Sequence, residues 1–152
     1  VKESRSRWDA QAVAARAARD AAWRAENGSC GLTDLETVVA ILDPGGNPLE
    51  RPTPDQDLRI ALAVRNPCPG PLTLQTPTTC LAPGFELTLP DGEVKLGGRL
   101  CAQALTDWPL APGDIERASW AIGNLPAGTY VATVPFSPLG RRPDRTFEVT
   151  AP

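Results

Sequence analysis

The turn signals of this chain constrain its fold more than any other feature. Asp43-Pro44-Gly45-Gly46-Asn47-Pro48, Asn66-Pro67, Pro90-Asp91-Gly92, Ala111-Pro112-Gly113 and Pro126-Ala127-Gly128 punctuate everything after Gly31. Proline pre-sets φ, and glycine supplies the positive φ that tight turns need. They are so closely spaced that no helix of ordinary length is expected between any two of them. The runs that remain are short and β-rich. The expected strands are 34–42, 58–65, 71–76, 85–89, 93–96, 100–105, 114–122, 129–136 and 145–150. In 58–65, Leu58, Ile60, Leu62 and Val64 alternate with Arg59, Ala61, Ala63 and Arg65, the period of a strand with one buried face. Several such strands joined by hairpins and arches predict a mainly β fold, an antiparallel immunoglobulin-like β-sandwich over 30–152.

The N-terminal stretch has a different grammar. Residues 6–26, SRWDAQAVAARAARDAAWRAE, contain no Pro or Gly and are dominated by Ala and Arg, both strong helix formers. Ser6 suits the N-cap and Asn27-Gly28 the stop, so one α-helix is expected within a first segment, 1–29. Ala10, Ala14, Ala17, Ala21 and Ala25 recur at helical spacing and form a small-residue face. Two uses of this face stay open: packing on the sandwich, or packing against sister helices or an apolar continuation.

Four cysteines, Cys30, Cys68, Cys80 and Cys101, stand far apart in a chain without histidine. Zinc sites bring their ligands in close pairs, so this spacing points to two disulfides and an oxidising compartment, the alternative being four buried thiols. The strand order favours one pairing. If 34–42 and 58–65 run antiparallel, Cys30 and Cys68 share one end. The strand 71–76 then carries the chain to the other end, where Cys80 and Cys101 can meet. Joining Cys68 to Cys80 would bring together the ends of a strand about 17 Å long, whereas bridged Cα atoms lie about 5–6 Å apart.

The absence of histidine removes Ser-His-Asp and Cys-His chemistry and imidazole metal sites. Glu36, Asp55, Asp57, Glu86 and Glu116 read as solvated side chains on turns and polar strand faces. Asp43, Asn47 and Asp55 lack the spacing of a calcium loop. No glycine-rich phosphate cradle occurs. The expectation is a chain without enzymatic activity, catalytic residues, metal or cofactor. Its 15 basic and 18 acidic residues form no long basic stripe, so nucleic acid is not an expected partner. A protein partner or self-assembly is expected. The loop 137–145, which holds Arg141, Arg142 and Arg145 and two prolines between the last two expected strands, is a candidate partner contact. The chain starts at Val1 and contains no Met, which reads as a processed or trimmed N-terminus and leaves open a signal peptide or membrane anchor ahead of it; the paired cysteines carry the expectation of the periplasm, the cell surface or the medium.

A family resemblance is carried by Arg65-Asn66-Pro67, Pro71-Leu72-Thr73-Leu74, Thr76-Pro77-Thr78, Phe85-Glu86-Leu87 with Asp91-Gly92, and Ala102-Gln103-Ala104-Leu105. It continues through Leu110-Ala111-Pro112-Gly113-Asp114, Trp120 and Leu125-Pro126-Ala127-Gly128-Thr129-Tyr130. In this order, over residues 58–136, the chain resembles the bacterial intracellular proteinase inhibitor (BsuPI-like) domain, a small immunoglobulin-like module. The resemblance implies that fold and, by analogy, protein binding or protease inhibition. The cysteines and the Ala/Arg helix depart from the family pattern, and no inhibitory residue carries over. Two functions follow as expectations: an extracytoplasmic structural or interaction domain displayed on the N-terminal helix in a surface or pilus-like assembly, or a soluble inhibitor or binding module.

Overall fold

The computed structural model describes residues 28–152; the predicted helix and its face Ala10, Ala14, Ala17, Ala21 and Ala25 lie outside the described residues. The fold is mainly β and antiparallel. Nine strands follow one another: β1 Glu36–Leu42, β2 Leu58–Arg65, β3 Leu72–Thr76, β4 Gly84–Thr88, β5 Val94–Gly98, β6 Thr106–Leu110, β7 Ile115–Gly123, β8 Gly128–Thr133 and β9 Asp144–Val149. Two short 3-10 turns, Leu32–Asp34 and Ser137–Leu139, are the helical elements among the described residues. The strands form a three-stranded sheet in the order β1-β2-β7, a two-stranded β3-β6 ribbon and a four-stranded sheet in the order β5-β4-β8-β9.

All three sheets contribute to one apolar core, in which Val39, Ile60, Leu74, Leu87, Val134 and Phe147 are buried together. The alternation read in 58–65 sets this up: Leu58, Ile60, Leu62 and Val64 are buried, and Arg65 at the strand's end is exposed. Phe85 on β4 meets Trp120 on β7 with ring centroids 5.6 Å apart, an aromatic contact between the four- and three-stranded sheets. Tyr130 stacks on Phe147 at 5.5 Å. Its hydroxyl donates to the Pro126 carbonyl at 2.7 Å, and burial raises the phenol's pKa.

At one end of the three-stranded sheet, a fully buried Asn66 organises the crossing from β2 to β3. Its Nδ2 donates to the carbonyls of Gly70 and Leu110, each at 2.9 Å, and its Oδ1 accepts the Cys68 N–H at 2.8 Å. Cys30 bonds Cys68 at this end, with Cα atoms 5.8 Å apart, and Cys80 bonds Cys101 elsewhere at 5.7 Å. This is the pairing that the strand order favours. Two disulfides fit an oxidising compartment. Among the described residues no helix is long and apolar enough to cross a membrane.

One expected strand is displaced. Residues 100–105 are not a strand; the pairing falls to β6, immediately after them, in register with β3 from Leu72↔Leu110 to Thr76↔Thr106. Pro109 argues against a strand here because it lacks an N–H, yet β6 pairs with β3 alone, and an edge position tolerates proline. Trp108 secures the ribbon by donating from Nε1 to Thr76 Oγ1 at 2.9 Å. The expected loop 137–145 is likewise shorter: a 3-10 turn occupies 137–139 and β9 begins at Asp144.

Candidate functional site

The segments around the second disulfide form a clasp. The Thr79 N–H donates to the Ala102 carbonyl and the Ala102 N–H to Thr79 Oγ1, each at 3.1 Å, while the Arg99 N–H donates to the Pro83 carbonyl at 3.0 Å. The Cys80–Cys101 bond crosses between these hydrogen bonds, so 79–83 and 99–102 run side by side as a covalently closed unit. Leading into it, β5 is the edge of its sheet, with four of its five residues exposed. Gly97 has no side chain because the Phe85 ring lies over it: a Cβ at Gly97 would fall against that ring. Leu96, Leu100 and Leu105 project from this one stretch with exposures of 78%, 102% and 68%. Beside Leu96 lies a shallow hollow of about 290 Å³ walled by Pro83, Phe85 and Pro135.

The inner side of the clasp faces the outer edge of β7. Two connected recesses, of about 330 and 470 Å³, share Arg99 and Ser119. The first is also lined by Cys80, Trp108 and Arg117, the second by Arg59, Phe85 and Trp120. The β2–β7 register explains the convergence. Arg59 lies opposite Ala121, Ala61 opposite Ser119 and Ala63 opposite Arg117, so Arg59 and Arg117 flank Ser119 on a face where Ala61, Ala63 and Ala121 leave room around it. Arg59 donates from Nε and Nη2 to Ser119 Oγ at 3.2 and 3.0 Å. Arg99, carried in by the clasp, donates from Nη2 to the Ser119 carbonyl at 2.9 Å. No carboxylate among the described residues pairs with Arg59, Arg99 or Arg117; the ion pairs there are Arg65–Glu36 and Arg142–Glu86.

The arginines singled out in the sequence have other surroundings. Arg141 turns back into the domain, where its guanidinium donates to the Leu35 and Thr33 carbonyls and fixes the chain entering β1. Arg142 pairs with Glu86 at 2.7 Å. Arg145 is exposed on β9 opposite Ala132. The acidic candidates do not converge either. Asp43 accepts the Asn47 N–H at 2.9 Å, which holds its carboxyl below the usual range, and Asp55 is lowered by the Thr53 hydroxyl at 2.5 Å. Glu36 and Glu86 are ion-paired, and the described residues contain no group of three or more Cys, Asp or Glu arranged to hold a metal ion.

Arg59, Arg99 and Arg117 were not singled out by sequence reasoning. A signal did exist for two of them. Arg59 and Arg117 occupy outward positions of their strands, but that they flank one serine follows only from a register spanning 58 residues of chain. Arg99 reaches the same serine through a disulfide-closed loop, which has no local sequence mark.

No protein-family model matches the chain, and no curated protein matches it. Among solved structures, the chain is similar to a beta-D-glucoside glucohydrolase from Trichoderma reesei, with 15% identity and a TM-score of 0.37. The similarity covers 78% of this chain and 19% of that one.

Proposed function

We propose that this chain is an immunoglobulin-like β-sandwich that works outside the cytoplasm as a non-catalytic protein-interaction domain, displayed on its N-terminal segment in a surface or pilus-like assembly. The observation that carries the reading is the clasp, where a disulfide holds a strand edge and three exposed leucines in a fixed arrangement. Apolar side chains presented this way are the expected core of a protein contact. Three further features support the sandwich and its compartment. Tyr130 donates to a carbonyl four residues upstream, as in the tyrosine corner of such folds. Phe85 and Trp120 join two sheets across one core. Two disulfides brace a small domain, as is common in secreted proteins.

Sedimentation velocity tests the reading on the full chain, on a chain beginning at Gly28 so that Cys30 is kept, and on Leu96→Ser/Leu100→Ser/Leu105→Ser. The expected result is a self-associating full chain, with both variants displaced toward monomer. If all three are monomers at the same concentration, the assembly reading fails. A second reading then stands, a soluble binding module or protease inhibitor of the BsuPI-like type. It is supported by the order of motifs from Asn66 to Tyr130 and by the recess between the clasp and β7. Inhibition of a protease panel at stoichiometric concentration is its test.

A further inference from the structure

The recess beside β7 poses an electrostatic problem. Between Gly28 and Pro152 the chain has nine basic and fourteen acidic residues, yet three of the nine cations line one pair of recesses. Two of them, Arg59 and Arg99, make hydrogen bonds to the same residue, Ser119, and neither has a carboxylate partner among the described residues. Like charges brought this close repel, and an anion between them relieves the repulsion. The hydrogen-bonding capacity for such an anion is present. Each guanidinium has N–H groups beyond those bonded to Ser119, and Ser119 Oγ, accepting from Arg59, keeps its own proton to donate. Trp120, which follows Ser119 on β7, also lines the second recess and closes its apolar side together with Phe85.

We propose that this recess receives an extended acidic segment of a protein partner. One carboxylate sits between Arg59 and Arg99 at Ser119, and the next meets Arg117. The spacing argues for a peptide over a single small oxoanion. Arg117 stands two residues from Ser119 on β7, about 6.6–6.8 Å along a strand, which is also the repeat of alternate side chains in an extended peptide. Glu or Asp at every second position of the partner therefore matches the row. This inference deepens the interaction-domain reading by naming the partner's chemistry, and it does not depend on self-assembly.

The test is calorimetric titration of the full 152-residue chain with a synthetic peptide of Ser-Glu repeats, beside its Ser-Gln counterpart and a sulfated oligosaccharide. The acidic peptide is expected to bind and the Gln peptide not, with affinity falling as salt rises across the range where the Debye length drops from about 10 to about 3 Å. Arg99→Gln and Arg117→Gln should each weaken binding by about tenfold, whereas Arg142→Gln, whose partner is Glu86, should leave it unchanged. Because the Arg117 side chain makes no hydrogen bond or ion pair among the described residues, its variant should retain the wild-type melting temperature, which separates lost binding from lost folding. Equal binding of both peptides, equal binding to Arg99→Gln/Arg117→Gln, or binding of the sulfated oligosaccharide without the acidic peptide overturns the proposal. Failure here with self-association intact leaves the interaction-domain reading standing; failure in both removes both.

Discussion

Asn66→Asp is expected to destabilise the protein by about 3–5 kcal/mol, a large part of the net stability of an ordinary domain. Asn66 is fully buried, and its side chain uses a donor and an acceptor at once: Nδ2 to the Gly70 and Leu110 carbonyls, and Oδ1 from the Cys68 N–H. An aspartate keeps the acceptor but turns an oxygen toward two carbonyls, exchanging two attractive contacts for two repulsive ones and burying a charge. The sign with pH follows. A carboxyl that is disfavoured as an anion in the folded state has a raised folded pKa, so the variant's deficit is largest at neutral pH and shrinks as pH falls and one donor returns. Urea unfolding at neutral and mildly acidic pH reads this directly, and a loss under about 1 kcal/mol at neutral pH would show that the Asn66 network does not organise the turn.

Removing the Cys30–Cys68 bridge by replacing both cysteines with alanine should cost about 4 kcal/mol from loop-closure entropy alone. The bridge closes the longer of the two loops, with a sequence separation of 38 against 21. Cys68 is buried, so its loss also removes packing from the core. The two perturbations share a segment, since Asn66 accepts the Cys68 N–H. Combining them should therefore give less than the sum of the separate losses, and additivity within about 0.5 kcal/mol would indicate that the bridge and the Asn66 network act independently.

The strands were legible where a buried face alternates with an open one. Leu58–Arg65 matches the bounds read from the sequence because its apolar positions have a period of two. The disulfide pairing was legible because it follows from strand order, which turn residues largely settle. The region around 100–110 was not. Leu100, Ala102, Ala104 and Leu105 have the composition of strand or helix but are exposed on the clasp, whereas Pro109 marks a real edge strand. The candidate site was the least legible part. A loop with three arginines stands out in the sequence, yet Arg141 holds the entry to β1 and Arg142 an ion pair with Glu86. The three arginines that line the pair of recesses are 58, 40 and 18 residues apart in pairs, and only the β2–β7 register and the Cys80–Cys101 closure bring them together.

The central claim is that the Cys80–Cys101 clasp builds the interaction surface by holding Arg99 at Ser119 and the leucines outward. The most direct test is Cys80→Ser/Cys101→Ser, assayed for acidic-peptide binding at a temperature where circular dichroism shows the variant folded. By the shorter loop, the stability cost is about 3 kcal/mol, small enough to leave a folded population in a domain of ordinary stability. The account predicts a folded variant whose peptide affinity falls at least about tenfold, because Arg99 is no longer fixed over the recess. A folded variant that binds the peptide as tightly as the bridged protein would contradict it.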